Sequence, residues 1–206
     1  IRAVALAGLL VGPAAAEGLV GQSLCDAVWG RIGDEISGMA AASGTVGAMD
    51  GDWCVVTSSV LDLDGQYAPD WHVDRLRFRG SALDWLMDGA GAPDRLEIAV
   101  DGLRLVVETG DVRTDWLFAA QSRPNKIDAV LVLDWDSKAR TLRVEALRID
   151  FPGENLVEFS AETSGVDLSS PGAMQMSGTS FAVTKVDLHV RTHGLFEWHV
   201  LMALGP

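Results

Sequence analysis

Apolar positions change their spacing once along this chain. Leu24, Val28, Ile32, Ile36 and Met39 recur at helical spacing and predict an amphipathic helix over residues 23–42. Ser23 suits the N-cap, with Asp26 three residues on. Gly30, Gly33 and Gly38 each weaken such a helix by up to about 1 kcal/mol relative to Ala, so it is expected to depend on packing. Residues 43–52 read as a Gly- and Asp-containing connection. From Trp53 onward the period is two. Strands are expected at 53–63, 73–79, 127–135, 141–151, 156–163, 166–169 and 181–192, with 136–140 closing a hairpin. Residues 95–108 read as one strand or a tight hairpin. Short helices are expected at 81–88 and 194–204, and 116–121 reads as a short helix or irregular.

Within the alternating region a small motif recurs. An apolar–charged–apolar triplet appears at Leu61-Asp62-Leu63, Leu76-Arg77-Phe78, Leu103-Arg104-Leu105, Leu147-Arg148-Ile149, Val166-Asp167-Leu168 and Val186-Asp187-Leu188. In several cases the apolar phase flips just before it. Leu96, Ile98 and Val100 are even, whereas Leu103, Leu105 and Val107 are odd. Likewise Leu142 and Val144 are even, and Leu147, Ile149 and Phe151 are odd. A one-residue slip requires a bulge or a turn, and Asp101-Gly102 suits either. The expected fold is mainly β (α+β): a curved, bulged antiparallel sheet with an N-terminal amphipathic helix and a C-terminal helix. Its concave face would carry Leu76, Phe78, Leu103, Leu105, Leu147, Ile149 and Leu188 as an apolar groove. Any half-buried antiparallel sheet also produces such triplets.

Composition narrows the partners. The 206 residues carry a net charge of -13, which argues against nucleic acid, since phosphate binding needs clustered Lys and Arg. No apolar run reaches the roughly 18–20 residues of a spanning helix. Residues 1–16 place Arg2 before an apolar run, then Gly12-Pro13 and Ala14-Ala15-Ala16. That is the layout of a signal peptide truncated at its start, with cleavage between Ala16 and Glu17. The alternative is an apolar N-terminal helix of the mature fold. Residues 17–206 are expected to form a single β-rich domain, incomplete at the C-terminus. Arg outnumbers Lys and Asn occurs only at 125 and 155, a bias that suggests a GC-rich bacterial genome and a periplasmic destination. An even cysteine count in an exported chain predicts a Cys25–Cys54 disulfide; free thiols are the competing reading.

Few residues point to chemistry. His189, His193, Glu197 and His199 crowd within eleven positions, but no Cys or second carboxylate completes a zinc set. The pairs Asp50/Asp52, Asp62/Asp64 and Asp134/Asp136 lack the remaining ligands of a calcium loop and read as strand-end and turn residues. No nucleophile elbow, phosphate loop or HExxH occurs, and no catalytic residue, cofactor or metal is expected. Seven tryptophans accompany one tyrosine, Tyr67. They suit core and rim packing, a ligand groove or a membrane interface. Arg75, Arg77 and Arg79 form a basic stripe that would meet an anionic headgroup or pair with carboxylates.

The stretches V-D-G-L-R-L (100–105), V-E-A-L-R-I (144–149) and V-T-K-V-D-L (183–188) resemble the AsmA-like bacterial envelope proteins. That resemblance covers about half of the mature chain and implies a curved apolar gutter associated with lipid transport and envelope homeostasis. The chain departs from larger members in being short and in lacking a membrane anchor, and no functional residue carries over. Three readings follow: a periplasmic, non-enzymatic protein binding lipid or another apolar ligand; a structural or protein-interaction module of the envelope; and a carboxylate-dependent hydrolase of wall polysaccharide. The segment T-H-G-L-F-E-W (192–198) has no assigned role. Behind a complete export leader, the secreted protein is expected to begin at Glu17. N-terminal sequencing checks this, and an N-terminus within residues 1–16 would contradict it.

Overall fold

A computed structural model describes residues 21–36, 40–63, 70–81, 83, 92–107 and 109–194. Residues 1–16, the expected helix at 81–88 (apart from Ser81 and Leu83) and the apolar segment from Leu195 onward lie outside them. The elements run α1 (Gln22–Ile36), β1 (Ala40–Val46), β2 (Cys54–Leu63), β3 (Asp70–Gly80), β4 (Arg95–Val106), α2 (Val112–Ser122), β5 (Ile127–Asp136), β6 (Thr141–Phe151), β7 (Asn155–Ser164), α3 (Pro171–Ser177) and β8 (Ala182–Arg191). The eight strands form one open antiparallel sheet in sequence order, so each strand pairs only with its chain neighbours. The mainly β, bulged antiparallel architecture is as the alternation predicts.

The phase flips are bulges. Strand β4 runs unbroken through Asp101-Gly102, and its register with β5 shifts between Val100 and Leu103. Gly102 makes this possible. It adopts φ +72°, and a Cβ there would collide with the Asp74 carboxylate. Its N–H donates to Asp128 Oδ1 at 2.7 Å. The second flip falls between Val144 and Leu147, where β6 shifts register against β7. A third bulge lies in β2 opposite Ser43 and Thr45, where Ser58 takes φ +53°. Each extra residue bends its strand and increases the local twist.

Three local expectations differ from the structure. The helix ends at Ile36, not near 42, because Ala40, Ala41 and Ala42 pair with Leu63, Asp62 and Leu61 in the edge strand β1. Alanine favours a helix intrinsically, and sheet pairing overrides that preference. Residues 166–169 are a loop, not a strand. The Val166 N–H donates to the Arg140 carbonyl at 3.0 Å, and Asp167 accepts from Ser169. Helix α3 follows directly, started by Ser170, whose hydroxyl accepts from the Ala173 N–H at 3.2 Å, and by Pro171 in its first turn. Helix α2 is longer than the expected 116–121, because Asp111 caps it at the Thr114 N–H.

The core sits at the β1–β4 end of the sheet, under α1. Cys25 and Val28 pack onto Cys54, Val56 and Phe78, with Leu83 closing the side. Cys25 and Cys54 form the expected disulfide, with Cα atoms 5.3 Å apart and 29 residues between them in sequence. Closing that loop stabilises the fold by roughly 3–4 kcal/mol on a chain-entropy basis. It also holds a glycine-weakened helix on the sheet. Reduction, or a paired Cys25→Ala/Cys54→Ala replacement, is expected to lower stability by about that amount in equilibrium urea unfolding. A change below about 0.5 kcal/mol would show that packing alone retains α1.

Candidate functional site

Cross-strand pairing arranges the alternating side chains into rows. One row runs Cys54, Phe78, Ile98, Leu131, Leu147, Phe159 and Leu188, each paired with the next across β2 to β8. A second runs Val56, Leu76, Val100, Ala129, Ile149, Val157 and Val190. These rows make one apolar face seven strands wide. Its two ends differ in cover. Phe78 is buried beneath α1 and Val56 is fully enclosed. At the far end Val183, Val186, Leu188 and Val190 are 49–64% exposed. A groove of about 550 Å³ also crosses β6, β7 and β8 beside the β6 bulge, but its lining is largely polar: Glu145, Arg148, Glu158, Ser160, Asp187 and His189 contribute beside Leu147, Phe159 and Leu188.

The seven residues expected to line an apolar groove therefore divide into three groups. Leu147 and Leu188 lie in the first apolar row and Ile149 in the second, all three beyond the core that α1 covers. Leu76 and Phe78 lie instead in or against the packed core, where α1 covers them. Leu103 pairs with Ile127 beyond the β4 bulge. Leu105 lines a separate cleft of about 330 Å³ beneath α2, together with Trp71, Arg104, Phe118, Asn125 and Ile127. The sequence marks all seven as apolar strand positions. It does not mark how far along the sheet α1 reaches.

The opposite face is ionic. Arg95, Asp134, Arg143, Glu162 and Lys185 form a row of alternating sign from β4 to β8. Arg143 meets Glu162 at 3.1 Å. Arg148 meets Glu158 at 3.1 Å and Asp150 at 2.7 Å. The basic stripe of β3 is paired as well: Arg75 with Asp50, Arg77 with Asp101, and Arg79 with both Asp52 and Glu97. Arg79 also stacks over the Trp53 ring, 4.5 Å from its centroid. Opposite charges directly across antiparallel strands stabilise the pairing. In a chain of net charge -13, they also place many of the carboxylates beside a cation.

The remaining candidates have structural partners. His189 meets Glu158 at 3.2 Å, and the His193 N–H donates to Asn155 Oδ1. Glu197 and His199 lie outside the described residues. No group of three or more His, Cys, Asp or Glu among the described residues is placed to hold a metal ion. Asp134 pairs with Arg95, and Asp136 accepts the Lys138 and Ala139 N–H groups in the β5–β6 turn. The indole of Trp135 donates to the Val166 carbonyl at 3.3 Å.

Two carboxylates anchor the ionic face. Arg79, then Arg95, hold the Glu97 carboxyl below the usual range, against a smaller opposing effect of burial. The hydrogen bond from Lys126 lowers Asp74 most, and Arg104 adds to it while burial opposes. A carboxylate whose folded pKa is depressed stabilises the fold above its unfolded pKa, and that stability is lost as pH falls through the depressed value. Glu97→Gln is thus expected to cost about 0.5–1 kcal/mol at neutral pH and to flatten the acid side of the stability profile. Thermal melts across the carboxylate range read this; an unchanged acid limb would contradict it. In comparisons with known proteins, no family model, no curated protein and no solved structure matches this chain.

Proposed function

We propose that this protein is a non-enzymatic carrier that holds lipid acyl chains, or another apolar ligand, on the uncovered part of its sheet. One observation carries the reading: the apolar rows continue to β8, while α1 covers only the β1–β4 end. An exposed contiguous apolar surface of this kind marks an interaction site. The disulfide, the acidic surface and the export layout of residues 1–16 support a bacterial periplasmic setting. A role in envelope maintenance, of the sort the AsmA-like resemblance implies, fits the same surface. No described helix is long and apolar enough to cross a membrane.

A second reading has its own observation. All ten residues of β8 are exposed, and this strand is an edge of the sheet. An open edge is a template for strand addition by an envelope protein. Native mass spectrometry of residues 17–206 purified from a bacterial periplasm, followed by lipid extraction, separates the two. The carrier reading expects a lipid at fixed stoichiometry that is lost on denaturation. Leu188→Glu is expected to reduce its retention about tenfold or more without loss of stability, because that side chain is already exposed. A clean apo mass with no lipid uptake on incubation would sink the carrier reading and favour the edge.

A further inference from the structure

Helix α2 is an unusual element of this fold. None of its eleven residues is buried, yet it carries Val112, Trp116, Leu117 and Phe118. Val112 is 86% exposed and Trp116 is 65% exposed, one helical turn apart on the same side. Leu117 and Phe118 are exposed beside them, and Phe118 reaches the cleft under the helix. A helix this short is marginal by itself, and its apolar stripe normally faces a core. Here the most apolar side faces outward.

The charge around it also differs from the rest of the chain. Residues 109–128 hold three basic and three acidic groups, whereas the whole chain has a net charge of -13. All three acids accept backbone N–H groups: Asp111 from Thr114, Asp115 from Thr109 and Asp128 from Gly102. Arg113 and Arg123 are exposed and have no carboxylate partner among the described residues. The apolar ridge is therefore flanked by two guanidinium groups with no carboxylate partner among the described residues. Tryptophan, aliphatic side chains and flanking arginines together suit the boundary between headgroups and acyl chains.

We infer that α2 docks this protein on a lipid bilayer surface, with Val112, Trp116 and Leu117 entering the interface and Arg113 and Arg123 meeting phosphate groups. The helix connects the end of β4 to the start of β5, the same end of the sheet at which β8 finishes. Docking there brings to the membrane the strand-end flank of the apolar face, the side nearest the Val157–Val190 pair. The proposal rests on the carrier reading for the purpose of this contact, but the contact itself stands on the α2 surface.

The test is flotation of the exported protein with vesicles of phosphatidylcholine alone and of phosphatidylcholine with phosphatidylglycerol. Binding to both is expected, and tighter binding to the second. Trp116→Glu and Val112→Glu should each weaken partition about tenfold or more, while Trp116→Phe retains it. Arg113→Glu should weaken only the phosphatidylglycerol-dependent part, by about fivefold. Loading with monomeric lysophosphatidylcholine, read by native mass spectrometry, should be the same in every α2 variant. Circular dichroism checks that the variants remain folded. Failure of the wild-type protein to float, or equal flotation of Trp116→Glu, overturns the docking proposal. So does a wild-type dimer, seen in sedimentation, that Trp116→Glu dissociates, because the ridge would then belong to a second copy. Absence of lysolipid loading with Trp116-dependent flotation intact would instead overturn the carrier reading and leave the docking in place.

Discussion

Among the described residues, one short helix, α1, packs on the apolar face of a sheet eight strands wide. That mismatch of size governs most of what the molecule presents to solvent. Cys25 and Val28 reach Cys54, Val56 and Phe78, and the disulfide fixes them there. Beyond β4 the same rows continue without α1. Burial along those rows falls from the enclosed Val56 to the exposed Leu188, while Trp135, Leu156 and Val166 stay buried near the loops at the strand ends. A sheet with one helix at each end, or with a second sheet over it, would show no such gradient.

The ionic face follows from a related constraint. A strongly acidic chain that lines up its charges on one side of a sheet risks repulsion between neighbouring strands. Here the register places an arginine or lysine beside an acid at each step from Arg95 to Lys185. The same register builds the apolar rows. Slipping one strand by a residue would put charges among the valines and leucines, and would break the ion pairs of the other face. Both faces thus select a single alignment. The bulges at Gly102, at Ser58 and between Val144 and Leu147 reconcile that alignment with a sequence whose alternation is not continuous.

Much of this was legible beforehand, and the reasons are local. Alternation is a property of consecutive residues, so the strands, the phase slips and the fold class could be read directly. The disulfide could be read from an even cysteine count in an exported layout. What depended on distant partners could not. Residues 40–42 look helical, and 43–46 look like a connection, until their partner β2 is known. The choice between turn and bulge at Asp101-Gly102 depends on Asp74 and Asp128, which approach from other strands. Leu76 and Leu188 occupy similar triplets, and only the reach of α1 puts one against the core and the other on the surface. The Ser170-Pro171 start of α3 was a readable signal that alternation at 166–169 obscured.

The strict order of the strands has a further consequence. Each strand touches only its predecessor and successor, so the molecule behaves along its length like a stack of repeats. Cooperativity between the ends is transmitted one hairpin at a time, and the weakest unit is the terminal one. The sheet can fray at β8 while the disulfide-bonded end stays intact, because few contacts cross between them. The same architecture makes length an adjustable property. An added or deleted hairpin beyond β7 would extend or shorten the open surface without altering the core, giving evolution a ruler for the size of what the sheet holds.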